Sequence, residues 1–154
     1  RFGRWAAPFV ATVLMASWDF MLDPSASTIN RLWVWEQGGG YFGVPFSNYL
    51  GWLLTVFVFF ALFAGYAAAS YREVVPARPI AAPLWAAAIA MYALLGARYV
   101  LTFAAPSSNK TLVDAAGHVW QQHDIYATTA LAAIFTVLAF SALALIRLID
   151  RRIA

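Results

Sequence analysis

Apolar residues fall into four long runs along the chain. The first extends from about Trp5 to Leu22 and closes at Asp23-Pro24. At roughly 1.5 Å per residue it measures about 27 Å, enough for a bilayer core. The second, from about Phe46 to Ser70, carries no charge, and the third, from about Ala82 to Phe103, carries Arg98 alone. The fourth runs from about Tyr126 to Ile149 and ends among Arg147, Asp150, Arg151 and Arg152. Membrane strands need about ten residues of alternating polarity, whereas these runs are longer and apolar on every face. The pattern predicts an all-α integral membrane protein, a bundle of four transmembrane helices with two long loops at 23–45 and 104–125. No repeat or linker divides the chain, so 1–154 reads as a single transmembrane domain.

Composition agrees with this reading. Of the 154 residues 63% are hydrophobic and 11% charged, against about 25% charged in soluble domains. The absence of Cys removes disulfides and thiolate chemistry. A net charge of +3 provides no basic surface for nucleic acid, and its placement says more than its size. With alternating helices, Arg1, Arg4, Arg72, Arg78, Arg147, Arg151 and Arg152 share one side, Arg31 and Lys110 the other, and Arg98 lies within the bilayer. Positive charge favours the cytoplasmic side. Both termini are therefore expected there, with the long loops outside, as in a bacterial inner membrane. Trp5, Trp52, Tyr71, Trp85, Tyr99 and Tyr126 fall near span ends, where amphipathic rings favour the interface. Ala61, Gly65 and Ala69, at intervals of four, suit close approach of helix backbones.

Charges inside spans are costly and need partners. Asp19 and Asp23 stand four residues apart, on one helix face near the outer end of the first span. Arg98 lies at matching depth in the third, so an ion pair from Arg98 to Asp19 or Asp23 is expected. Such a pair either pins two helices or belongs to a polar pocket beneath the first loop. In that loop Trp33 and Trp35 can share a face of a short extended segment. Gly38 to Gly40 permit turns, Pro45 suits the start of the second helix, and Asn48 then projects from its first turn. By composition alone the loop reads as an interfacial one that dips aromatic rings among headgroups. His118 and His123 are five residues apart, unlike the i,i+4 spacing of helical metal sites, and read with Asn109-Lys110-Thr111 as a solvated loop. No metal or other cofactor is expected.

The series Asp19-Phe-Met-Leu-Asp23-Pro24, Trp33-x-Trp35, Gly-Gly-x-Tyr41-Phe-Gly43-Val-Pro45-x-x-Asn48-x-x-Gly51-Trp52 resembles a family of carotenoid-biosynthesis membrane proteins. That family includes bisanhydrobacterioruberin hydratase and the carotenoid 1′,2′-hydratases. The resemblance is dense over residues 16–54, and beyond residue 55 only the hydropathy pattern agrees. Family members are usually longer, with further spans before the Asp-Pro helix, so the chain is expected to be the C-terminal part of such a protein or a shortened relative.

The resemblance implies addition of water to the terminal double bond of a linear carotenoid, without cofactor. A carboxylic acid protonates the alkene, aromatic faces stabilise the tertiary cation, and positioned water completes the alcohol. A carboxyl in apolar surroundings keeps its proton more firmly than one in water. Asp23 is the expected donor, because Arg98 would hold Asp19 ionised; Asp19 and Glu36 are the further acids, and Asn48 could hold the water. Trp33, Trp35, Tyr41, Trp52 and Arg98 are the expected substrate contacts. Expected partners are a carotenoid or other isoprenoid lipid and membrane lipids. The competing expectation is a non-catalytic accessory subunit of a larger membrane assembly, such as a photosynthetic pigment–protein complex.

Because no native Cys competes, a single Cys at Ser108 tests the orientation. It is expected to react with an impermeant thiol reagent applied from outside; labelling from the cytoplasmic side alone would reverse the topology.

Overall fold

The computed structural model describes residues 5–70 and 81–153, the side chains of 151–153 excepted. Arg1, Arg4, Tyr71, Arg72 and Arg78, with the side chains of Arg151 and Arg152, lie outside the described residues. Helix α1 (Ala6–Asp23) continues as a π-helical segment, Pro24–Ile29. Helices α2 (Phe46–Ser70) and α3 (Ala82–Ala104) follow, then an antiparallel pair, β1 (Thr111–Val113) and β2 (Val119–Gln121), with Leu112 opposite Trp120. Helix α4 (Gln122–Ala133) passes through a second π-helical segment, Ile134–Leu138, into α5 (Ala139–Ile153). Ala6–Ile29, Phe46–Ser70, Ala82–Ala104 and Gln122–Asp150 are each long and apolar enough to cross a membrane, so the fold is an all-α membrane protein.

The first span does not close at Asp23-Pro24 as its sequence suggests. Pro24 has no N–H to donate and would crowd the preceding turn of an α-helix. The wider π turn accommodates it, and Ser27 Oγ donates to the Asp23 carbonyl at 2.8 Å. Side-chain hydroxyls of this kind let membrane helices pass a proline without leaving backbone groups unpaired. Pro24 to Thr28 are in consequence buried and helical, where the sequence reading had placed a loop. The hairpin β1–β2 likewise stands within the loop expected at 104–125; three-residue strands are too short to show a period.

Lipid tails are as apolar as leucine, so these helices hold together by close packing and by hydrogen bonds shielded from water. Met21 of α1, Tyr99 of α3, Ala133 of α4 and Val137 form the core. The Tyr92 hydroxyl of α3 donates to the Leu14 carbonyl of α1 at 2.6 Å. The close approach is made at Gly96, where a Cβ would lie 2.9 Å from Val137 Cγ1. Gly65, expected to serve that purpose, has nothing within 4 Å of the position a Cβ would take. Helix α2 packs against α1 and leaves most of its surface outward.

Both connections lie at one end of the bundle and grip each other. Thr28 Oγ1 donates to the Phe42 carbonyl in a short hydrogen bond. Arg31 Nη2 donates to the Val113 carbonyl at 3.1 Å, and the Phe42 ring meets Trp120 edge-on at 5.3 Å. Arg31 and Phe42 have φ of 52° and 50°, in the left-handed region that side chains with a Cβ resist. Their cross-loop contacts hold that strain in place.

The two glycines separate packing from composition. Gly96→Leu is expected to cost about 1–3 kcal/mol through overpacking against Val137 and Leu138, lowering the detergent-solubilised melting temperature. Gly65→Leu, facing open space, is expected to leave it unchanged.

Candidate functional site

A cavity of about 510 Å³ opens between the loop-side halves of α1 and α2, roofed by the first loop. Met15, Asp19, Leu22 and Asp23 reach it from α1, a spacing that keeps side chains on one helix face. Asn48, Trp52 and Val56 reach it from α2, at successive intervals of four. Trp18, Trp33, Val34 and Trp35 complete the walls, which are overwhelmingly apolar. This volume and this mix of apolar walls with a few convergent polar groups are those of small-molecule sites.

The polar groups are Asp19, Asp23 and Asn48. Asp23 is buried, and Asn48 Nδ2 donates to its Oδ2 in a short hydrogen bond that ties α2 to α1. Asn48 can do so because α2 begins immediately after Pro45, placing the amide in the first turn. Asp19 and Asp23 stand four residues apart on α1, and both line the cavity. Asp19 Oδ2 is buried without a hydrogen-bond partner among the described residues.

Arg98 does not join them. Its guanidinium lies 5.2 Å from the centroid of the Tyr99 ring, and its side chain is exposed. Among the described residues the one ion pair joins Asp114 to His118. Successive helix positions are turned by about 100°, so with Tyr99 directed into the core Arg98 points outward, where a long side chain can reach the headgroups. The expected pair with Asp19 or Asp23 is therefore absent, and with it the reason to regard Asp19 as held ionised.

Of the other expected site residues, Trp33, Trp35 and Trp52 line the cavity. The segment bearing Trp33 and Trp35 is irregular and not extended strand, yet both rings reach the same space. Tyr41 stands outside the lining: its ring stacks on Phe20 at 4.3 Å and meets Tyr49 edge-on at 5.8 Å. Burial pushes its phenol above the ordinary range. Glu36 sits on an exposed turn closed by the Gly38 N–H to the Trp35 carbonyl at 2.9 Å and does not line the cavity. Trp18 and Val34 were not anticipated; Trp18 stands beside Asp19 in sequence, but an aromatic in an apolar span carries no distinguishing signal.

The second connection is organised by Asp114, whose side chain is 5% exposed. Its Oδ1 accepts from the backbone N–H groups of Ala116 and His118 at 3.0 and 2.9 Å. Its Oδ2 accepts from the Trp120 indole at 3.0 Å and lies 3.0 Å from His118 Nδ1. Gly43, with φ +82°, brings the first loop against it: a Cβ there would lie 3.0 Å from Asp114 Cβ. His118 is thus a partner of Asp114, while the His123 ring rests on Phe103 at 5.2 Å and the His123 backbone N–H donates to Asn109 Oδ1.

Four membrane-length helices define an all-α membrane protein, and a tryptophan-walled cavity holding two acids lies between its first two spans. The chain belongs to the carotenoid biosynthesis protein family, whose model matches residues 2–108. That match runs beyond the loop motif and through the whole of α3. Neither the curated proteins nor the solved structures provide a match.

Burial acts to raise the Asp114 carboxyl, but the hydrogen bonds from Trp120 and His118 outweigh it and hold it below the usual range. A carboxyl that ionises more readily when folded stabilises above the unfolded value, about pH 4, and its contribution is lost as pH falls through the lower folded value. The Trp120 indole N–H resonance is thus expected to hold its position from pH 7 to about 4 and to collapse below. In Asp114→Ala it is expected to be displaced throughout; an unmoved resonance would remove Asp114 as the organiser of the hairpin.

Proposed function

We propose that the cavity between α1 and α2 hydrates the end group of a linear carotenoid. Membership of a carotenoid biosynthesis family supports the substrate class. The observation that carries the reaction is the acid pair itself: Asp19 and Asp23, tied to α2 by Asn48, lie inside an apolar pocket walled by tryptophan. Two adjacent anions there would repel each other without the screening of water, which favours a pair that shares one proton.

The roles follow from the hydrogen bonds. Asn48 donates to Asp23, so Asp23 is the acceptor and acts as the base. Asp19, with an unpartnered oxygen and no guanidinium beside it, carries the proton. Its O–H bond breaks as a C–H bond forms at the less substituted alkene carbon, leaving a tertiary cation. Indole faces of Trp18, Trp33, Trp35 and Trp52 stabilise that cation. Water then forms the C–O bond and gives its proton to Asp23, and transfer from Asp23 back to Asp19 restores the pair. One water is consumed, with no change of oxidation state and no cofactor. Arg98 serves as an interfacial anchor in this scheme.

The proposed setting is a bacterial cytoplasmic membrane with both termini inside. The pocket then lies in the outer leaflet, open to the polyene tail between α1 and α2.

The complete reading frame, expressed in a host that accumulates lycopene, is expected to yield a pigment heavier by one water. Asp19→Asn and Asp23→Asn are each expected to lower that yield by about 100-fold or more, the scale of a general acid or base, while inserting normally. A complete protein that hydrates no linear carotenoid offered would sink this reading. Co-purification with a pigment–protein complex would then turn the case toward the accessory subunit.

A further inference from the structure

A second cavity of about 160 Å³ lies under the junction of the two outer connections, and its character is opposite to that of the first. Ser27, Thr28, Arg31 and Asp114 line it with two hydroxyls, a guanidinium and a carboxylate. A polar space of this size accommodates several waters, each with protein partners to bind. It is bounded on one side by Val34 and Trp35, and the same two residues bound the large apolar cavity. Trp35 is thus a wall common to both. Its indole Nε1 is buried without a hydrogen-bond partner among the described residues. An indole N–H can only donate, and burying it unpaired is unfavourable unless a water supplies the acceptor.

Hydration inside a bilayer sets a supply problem. Each turnover consumes one water, yet the hydrocarbon surrounding α1 and α2 contains essentially none. A polyene threaded between those helices would also block the lipid-facing opening. Water must therefore reach the acid pair from the loop end, through protein. On the proposed reading of the large cavity as a hydratase site, we infer that the Ser27–Thr28–Arg31–Asp114 cavity is the water vestibule of that site, and that Trp35 is the partition across which water is delivered. The indole N–H holds a water on the polar side while the ring keeps the carotenoid end group on the other. Trp35 is in this sense a positioning residue for the nucleophile as well as a wall for the cation. The Arg31 bond, which joins the two connections, and the Thr28 bond hold the rim of this vestibule in place.

The test has one arm that does not depend on activity. In ¹⁵N-labelled protein in detergent, the Trp35 indole resonance is identified by its loss in Trp35→Phe, and its cross-relaxation with water is measured. A water contact at that N–H is expected, and it should weaken in Ala115→Trp, which fills the vestibule from its rim. In lycopene-producing cells Ala115→Trp is expected to lower the hydrated product about tenfold as access becomes limiting, and the smaller Ala115→Leu to lower it less. Circular dichroism and gel filtration establish that both variants fold. A Trp35 indole without water contact overturns the vestibule, whatever the activity. So does full hydration activity in both folded Ala115 variants. If the complete wild-type protein hydrates no carotenoid, the hydratase reading falls by itself, and the indole measurement still decides whether water from the vestibule reaches Trp35.

Discussion

The hydrogen bond from Asn48 to Asp23 sets the terms for the half of this protein that carries the long loops. A carboxyl buried beside apolar walls must be paired, and the pairing amide comes from a different helix. To place it, α2 must begin after Pro45, which fixes the end of the first loop. To place the carboxyl, α1 must arrive at Asp23 still helical and then accommodate Pro24, which calls for the π turn. The pocket is what lies between those two demands, and its acids and its roof are positioned by the same bond.

Elsewhere the bundle relies on packing. Helices α1, α3 and α4 share the Met21–Tyr99–Ala133–Val137 core, with Gly96 allowing α3 to approach the second π segment. Helix α2 stays outside that core and is fastened to α1 at its N-terminal end. One part of the molecule is thus a fixed frame, and the other is a wall laid against it. The acids sit on the frame, and the wall closes the other side of the cavity.

The four spans were legible because length and hydropathy are properties of a run of residues, and no packing detail can hide them. The candidate site was legible in part. Asp19, Asp23, Asn48, Trp33, Trp35 and Trp52 were recognisable as a motif, and the structure gathers them at one cavity. What the sequence could not show was rotation. Arg98 and Asp19 match in depth, but depth says nothing of azimuth, and Tyr99 takes the inward position that Arg98 would need. Gly65 and Gly96 pose the same question in opposite senses: both are glycines in apolar helices, and only the neighbours tell which one is crowded. The continuation of α1 through Pro24 was hidden because proline ends most helices, and the compensating hydroxyl, Ser27, acts three residues later.

The two π segments, Pro24–Ile29 and Ile134–Leu138, have a consequence that concerns chain length more than residue type. A π turn holds one residue more than an α turn for nearly the same rise, so it behaves as an insertion absorbed without breaking the helix. Everything after it is rotated by about 100° relative to an uninterrupted helix. In the first segment that rotation decides whether Thr28 finds the Phe42 carbonyl and Arg31 the Val113 carbonyl; in the second, whether Val137 meets Gly96. Many substitutions in these stretches would leave the phase of the helix intact. Loss of a single residue would not, however conservative the remaining composition, since it would turn each partner away by a quarter of a circle. Indels, far more than point changes, are the kind of variation this architecture has to resist.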